Sequence, residues 1–187
     1  VFDMDLTLLH VRPLAPCFIK DQLERHGVHM TQAQVKASGR WYSKFWVDPP
    51  SIDWNDKENL SANRRSFWMQ FLRQYYKILD LPEGSLDQIL LEIASMIEAR
   101  DVEEYILEDD IDALAALKAR GYGLSVLSNR FKPISPVIRE LGLDSFFEYS
   151  HSAGEMGDAK PNKEIFQKHL SIIDAKPEET VYIGDNY

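Results

Sequence analysis

Asp3 and Asp5 stand two residues apart, directly after Val1-Phe2, which reads as the end of a buried strand. Residues two apart on an extended chain point the same way, so both carboxylates are expected to face one pocket. Two carboxylates that close repel each other unless a cation holds one or a proton neutralises one. That division suits covalent and acid–base chemistry, with one ionised group that attacks and one carboxyl that carries a proton. A solvated surface loop would show the same pair, so this segment decides nothing alone. Three other segments join it. Leu127-Ser128-Asn129-Arg130 ends a strand in a polar turn whose hydroxyl and backbone N–H groups suit an anion, although the same residues also cap ordinary helices. Lys160-Pro161 brings a cation that would neutralise a phosphate or steady a carboxylate, or simply sit in solvent. Ile183-Gly184-Asp185-Asn186 puts an acid just past a strand, as a hard oxygen ligand for Mg²⁺ or as a plain turn residue.

The elements that must position these segments follow from periodicity. From about residue 107 the pattern alternates. A helix over 109–120 starts at Asp109-Asp110, carries Ile111, Leu114 and Leu117 in register, and stops at Gly121. A strand is expected over 122–127, a helix over 134–141 closed by Gly142, a strand over 146–149, a helix over 163–173 and a strand over 181–183. Strands alternating with helices imply a parallel sheet covered on both faces. In such sheets ligands bind outside the C-terminal ends of the strands. Three of the four segments lie at such an end, and Lys160 lies in the loop after one. One architecture therefore gathers all four, which is far less expected by chance than any one of them.

Residues 11–105 read as helical stretches with no convincing strand. Phe67, Phe71, Leu72, Tyr75, Ile78 and Leu79 share one helical face, and Leu86, Ile89, Leu90, Ile93 and Ile97 share another. Pro13 suits a helix start near residue 14, Gly27 suits its end, and Asp48-Pro49-Pro50-Ser51 marks a break. The block also holds Trp41, Trp46, Trp54 and Trp68 with Tyr42, Phe45, Tyr75 and Tyr76. These aromatics read as a helical core in preference to a partner-binding surface.

The 187 residues, 44% hydrophobic and 27% charged, suit one domain with a modest insertion. A formal net charge of −9 argues against a nucleic-acid surface, which needs clustered Lys and Arg. It leaves room for a small anionic substrate in a local pocket. No apolar run approaches the ~20 residues that span a bilayer. The single cysteine, Cys17, cannot form an internal disulfide, so a cytoplasmic setting is expected. Both ends read as cut: a strand beginning would precede Val1, and a helix would follow Tyr187.

In order, the four segments resemble the motifs of the haloacid dehalogenase superfamily. Asp3-Met4-Asp5-Leu6-Thr7 fits its Asp-x-Asp-x-Thr motif. Ser128 fits the Ser/Thr motif, Lys160-Pro161 with Phe166 the lysine motif, and Gly184-Asp185 the start of the acidic motif. The resemblance spans the chain. It implies an α/β, Rossmann-like three-layer core with a parallel sheet, formed by residues 1–10 and 106–187, and an inserted all-helical cap of the C1 type over 11–105. It also implies a Mg²⁺-dependent phosphomonoester hydrolase. Asp3 would attack phosphorus. Asp5 would protonate the leaving oxygen and then help activate water. Mg²⁺ would be held by Asp3, the Asp5 carbonyl and Asp185. Thr7, Ser128, Asn129 and Lys160 would bind the phosphoryl group.

Two departures stand out. The family's acidic motif usually has a second acid a few residues on, beyond Tyr187 here, and many relatives have glycine where this chain has Arg130. Arg130 is read as facing solvent in preference to contacting substrate. The second aspartate, Asp5, disfavours carbon–halogen and phosphonate chemistry, which protonate no leaving alkoxide. A sugar phosphomutase and a non-catalytic binding protein on this fold remain as alternatives. The expected substrate is a small phosphorylated metabolite, with His10, Arg40, Lys44 and Arg130 as candidate contacts, and a monomer or homodimer is expected.

Overall fold

The computed structural model describes residues 1–46, 60–79, 86–99 and 102–185. The break expected at Asp48-Pro49-Pro50-Ser51 and the residue Trp54 lie outside the described residues. In chain order the elements are β1 (His10–Arg12), α1 (Ala15–Arg25), α2 (Gln32–Phe45), α3 (Leu60–Leu79) and α4 (Leu86–Ala99). They continue with β2 (Glu103–Tyr105), α5 (Glu108–Ala119), β3 (Ser125–Ser128), α6 (Ser135–Glu140), β4 (Tyr149–Ser152), α7 (Ala153–Met156) and α8 (Lys163–Ile172). The chain divides into two compact units, one of Val1–Val11 with Glu104–Tyr187 and the other of Arg12–Glu103.

The first unit is built on parallel backbone pairing. β3 pairs with β4 in parallel, Ser125 opposite Tyr149 through Ser128 opposite Ser152. On the other side of β3, the Phe2 N–H donates to the Ser125 carbonyl at 2.8 Å and the Leu127 N–H donates to the Phe2 carbonyl at 2.9 Å. Residues 1–3 then pair outward. The Ile183 N–H donates to the Val1 carbonyl at 2.9 Å and the Asp3 N–H to the Ile183 carbonyl at 2.8 Å. The lateral order is therefore β4, β3, the first segment, and the segment around Ile183. Side chains alternate across this layer. Val126 joins a core with Leu114 of α5 and Ile134 and Ile138 at α6, whereas Ser125 bonds His169 of α8. Helices thus cover both faces, as an α/β Rossmann-like fold requires.

Several strand expectations are corrected. β3 begins at Ser125 and not Tyr122, because Gly121 has a left-handed φ of 83° and closes α5, leaving Tyr122 58% exposed in the turn. β4 runs over Tyr149–Ser152, later than the apolar run at 146–149. Phe147 is spent anchoring the turn against Phe2, with ring centroids 6.1 Å apart. Residues 181–183 make one isolated bridge from Ile183 to Phe2 in place of a full strand. Within 11–105, where no strand is expected, β1 and β2 pair as a short two-stranded sheet, with Arg12 Nη2 donating to Glu103 Oε1 at 3.0 Å. Three-residue strands carry too little periodicity to be read in a sequence.

Among its described residues the second unit is all-helical apart from these edges. Ile19 and Leu23 of α1, Phe45 of α2, Phe67, Phe71, Leu72, Tyr75 and Leu79 of α3, and Leu90, Ile93 and Ile97 of α4 form one buried cluster. Ile78, expected on the buried face of α3, is exposed, and Tyr76 is buried instead. Trp41, Tyr42, Trp46 and Trp68 pack partly buried against the cluster. Trp41 and Phe45 both lie about 5 Å from a neighbouring ring, at 5.0 Å from each other, in the edge and tilted arrangements that aromatic quadrupoles favour. No helix among the described residues is long and apolar enough to cross a membrane.

A polar link ties α8 to the sheet. Ser125 Oγ lies 2.9 Å from His169 Nε2, and His169 Nδ1 lies 3.1 Å from His151 Nδ1. One Nδ1 must donate and the other accept, so the pair cannot be doubly protonated without breaking. Burial, and next the neighbouring His151, push the His169 imidazole down to about 4 from an ordinary 6.5. The unfolded chain therefore binds the extra proton between those values, and stability rises with pH across them. Stability is expected to be complete above about pH 6.5 and to fall by up to about 3 kcal/mol as the pH drops towards 4. Urea midpoints across that window test this: His169→Gln should weaken the fold at pH 7 but flatten this part of the slope.

Candidate active site

The first segment turns sharply once it leaves the sheet. Phe2 and Met4 are buried in the core, and strand alternation sends Asp3 and Asp5 to the other side. The Met4 carbonyl then accepts the N–H groups of Leu8 at 3.0 Å and Leu9 at 2.8 Å. Leu6 takes a left-handed φ of 61° at the tip, held by its N–H bond to the Leu9 carbonyl at 2.8 Å. A leucine in that region is strained, and such strain gathers at functional loops. Leu8 and Leu9 are buried and clamp the far side of the turn.

Asp3 has one dominant partner. Lys160 Nζ lies 2.6 Å from Asp3 Oδ1, and the two side chains are only 10% and 15% exposed. The Met4 N–H also donates to Oδ1 at 2.6 Å. Burial raises the Asp3 carboxyl above its usual range, opposed by Lys160 and the Met4 N–H. Burial likewise lowers the Lys160 ammonium, opposed by Asp3 first and then by Asp5 and Asp185. Lys160 also donates to the Tyr182 hydroxyl at 2.8 Å and sits 5.3 Å from that ring's centroid. Tyr182 is pushed up by burial and then by the charges of Asp3 and Asp185, so it stays a neutral phenol. Gly184 makes room for this set: a Cβ there would come within 3.0 Å of the Tyr182 ring and 3.3 Å of Asp3 Cβ.

Asn129 places Lys160. Its Nδ2 donates to the Lys160 carbonyl at 2.8 Å and its Oδ1 accepts the Lys160 N–H at 2.8 Å. Its side-chain amide, expected from the sequence to meet phosphate, is thus engaged with the backbone of the lysine loop. The Lys160-Pro161 peptide bond is cis.

Asp5 is held differently. Arg130 Nε donates to both its oxygens at 3.1 and 3.0 Å, and Nη2 donates to Oδ1 at 2.7 Å. The same Nη2 donates to Glu104 Oε1 at 2.8 Å. Ser128 Oγ donates to Asp5 Oδ2 at 3.4 Å and accepts the Arg130 N–H at 3.2 Å. The expectation that Arg130 faces solvent is therefore wrong. Two carboxylates draw its fork inward, leaving the side chain 25% exposed. Burial works against its charge, but Asp5 and then Glu104 outweigh it and raise the guanidinium further above its already high range.

The remaining candidates divide. The Thr7 hydroxyl is buried with no hydrogen-bond partner among the described residues. Asp185 is exposed, within electrostatic reach of Lys160 and Tyr182. His10 is turned to protein: its Nε2 lies 3.7 Å from Asp110 Oδ2, with its ring 5.6 Å from that of Tyr105. Arg40 and Lys44 are exposed on α2 in the helical unit. The sequence reading missed Tyr182 and Glu104. Tyr182 lies three residues before Asp185 in the segment that pairs with residues 1–3, a register that becomes visible only once the pairing is known.

This geometry belongs to a known class. The chain matches the haloacid dehalogenase-like hydrolase family over residues 1–187 and belongs to it. Over 87 residues it is 34% identical to the pyrophosphatase PpaX of Bacillus mycoides, an alignment covering 46% of this chain and 40% of that protein. The chain thus spans well under half the length of that relative. In fold it is similar to a haloacid dehalogenase-like hydrolase from Bacteroides fragilis, with a TM-score of 0.59, 20% identity, and 99% and 77% of the two chains covered. It is also similar to a predicted phosphoglycolate phosphatase from Haemophilus somnus, with a TM-score of 0.54, 20% identity, and 98% and 75% covered.

The Asn129 clamp makes a local test. Asn129→Ala removes two partly buried hydrogen bonds and is expected to cost about 1–3 kcal/mol. Hydrogen exchange at the Lys160 amide should speed up well beyond the change seen at β3 amides. Equal change at both would show that the clamp does not hold the lysine loop.

Proposed function

We propose that this chain carries the catalytic site of a phosphomonoester hydrolase that works through an aspartyl-phosphate on Asp3. One observation carries the reading: two carboxylates two residues apart have separate cationic partners, Asp3 with Lys160 and Asp5 with Arg130. Asp3 is enclosed and set for attack, while Asp5, at 43% exposure, is open to an incoming group. Asp3 Oδ attacks phosphorus and the leaving oxygen departs with a proton from Asp5. Asp5 then takes a proton from the water that hydrolyses the acyl phosphate. This splits one hard displacement into two easier ones. The Lys160 ammonium balances charge on the transferring group. The orphaned Thr7 hydroxyl is suited to its oxygens, Ser128 would have to turn its one proton from Asp5 Oδ2 to reach them, and Asn129 keeps Lys160 in place.

A divalent cation fits the donors present. Asp3, Asp5, Glu104 and Asp185 set four carboxylates against two cations, Lys160 and Arg130, an excess of two negative charges among the described residues. The Asp5 carbonyl accepts no hydrogen bond among the described residues. Among those residues no three acidic, histidine or cysteine side chains converge on one point. Two carboxylates and a carbonyl are a hard oxygen set of the kind that suits Mg²⁺, which keeps several waters. Asp3, the Asp5 carbonyl and Asp185 would hold it. When bound, Mg²⁺ supplies charge stabilisation to the phosphoryl oxygens.

The names of the relatives, a pyrophosphatase and a phosphoglycolate phosphatase, support a small phosphorylated substrate, and the proposed setting is cytoplasmic. Phosphate release from an aryl phosphate by the full-length protein tests the reading. Release should need Mg²⁺ and stop with chelator. Asp3→Asn should lower it by about 10³-fold or more while leaving the circular dichroism unchanged. Mg²⁺-independent release, or normal release by Asp3→Asn, would sink the covalent mechanism.

A further inference from the structure

Arg130 makes the shortest side-chain contacts to Asp5, and Glu104 in turn holds Arg130. An aspartate side chain can rotate about two bonds. To deliver a proton it must hold one orientation to within a fraction of an ångström. Here the orientation is set by a planar fork: three N–H contacts of 2.7–3.1 Å from Nε and Nη2 reach both Asp5 oxygens. A fork of this kind fixes the plane of a carboxylate, which a lysine ammonium cannot do. The fork is itself fixed at two points. Glu104 Oε1 accepts from Nη2 at 2.8 Å. At the other end of the residue the Arg130 N–H donates to Ser128 Oγ, which in turn donates to Asp5 Oδ2. Arg130 Nη1 takes no part in these contacts, so the grip uses one edge of the guanidinium and leaves Asp5 open at 43% exposure.

We infer that Arg130, backed by Glu104, is the positioning residue for Asp5, aiming its carboxyl at the leaving oxygen. The inference rests on the phosphohydrolase reading above, in which Asp5 protonates that oxygen. It makes Arg130 a device for esters with poor leaving groups, since a good leaving group departs without a proton. Glu104 acts one step further out, by holding the far side of Nη2.

The test compares two esters on the full-length protein. One is p-nitrophenyl phosphate, whose leaving group needs no proton, and the other is a simple alkyl phosphate, whose leaving group does. The readout is kcat/KM, which reports events up to departure of the leaving group and not the later hydrolysis. Arg130→Gln should lower kcat/KM for both esters, but for the alkyl ester by about 10² or more, the scale of general acid catalysis. The alkyl-to-aryl ratio should therefore fall at least about tenfold. Arg130→Lys should restore only part of it, because the fork is lost. Glu104→Gln should move the ratio the same way by less, and it carries the test should the arginine variants not fold. In an Asp5→Asn background Arg130→Gln should leave the ratio unchanged. An unchanged ratio in both Arg130→Gln and Glu104→Gln, equal losses on both esters, or a faster alkyl reaction showing that the fork latches Asp5 away would each overturn the inference. Failure of the wild type on both esters has a different meaning, since it removes the phosphohydrolase reading itself.

Discussion

A buried carboxylate beside a second acid is the constraint on which this site depends. An isolated ionised carboxylate in an apolar setting is too costly to keep, and it either finds a cation or takes up a proton. Asp3 is placed where it must find one, because its backbone is locked on both sides: Phe2 pairs with β3 and Asp3 with Ile183. The sheet register thus decides that a carboxylate will sit at the strand end, and the rest of the site answers to it. Lys160 arrives on a loop pinned by both ends of the Asn129 amide. Tyr182 and Gly184 come from the segment that pairs with Asp3, one giving a hydroxyl to the ammonium and the other giving way to the contact.

The two aspartates differ in the shape of their partners. A lysine is a point charge that neutralises Asp3 without dictating the angle of its carboxylate. An arginine is a plane that dictates the angle of Asp5. Exposure differs in the same sense, with Asp3 enclosed and Asp5 half open. Like charges two residues apart would otherwise be interchangeable; distinct partners make them distinct groups. The difference between the two acids therefore lies in the second halves of two ion pairs.

The residues at strand ends were legible because their place depends on local pattern alone. An apolar run followed by Asp-x-Asp, by Ser-Asn or by Gly-Asp is such a pattern, and the segments gained their meaning together. The same holds for the helix stops at Gly121 and Gly142, where left-handed backbone makes glycine the ready choice. What could not be read depends on partners far away in sequence. Arg130 looks like a surface residue until Asp5, 125 positions earlier, and Glu104, 26 positions earlier, are brought to it by the fold. Tyr76 took the buried place expected for Ile78 because tertiary packing, and not helical period alone, chooses the edge of a buried face. β1 and β2 are too short to show alternation, and their pairing joins residues about ninety positions apart.

Fold neighbours at 20% identity establish architecture and little else, since one scaffold serves many reactions. Selectivity among such proteins has to come from side chains that the scaffold does not require. The parallel ladder needs neither Arg130 nor Glu104, and the turn after β3 would form with a smaller residue at 130. A charged fork in that position has a cost, because burial opposes the charge and a second carboxylate is needed to hold it. This chain bears that cost at Asp5, whose carboxylate the fork holds in one plane. The same logic separates the two acids of the outer ring. Glu104 is tied to the arginine at 2.8 Å, whereas Asp185 is exposed and lies in the field of Lys160.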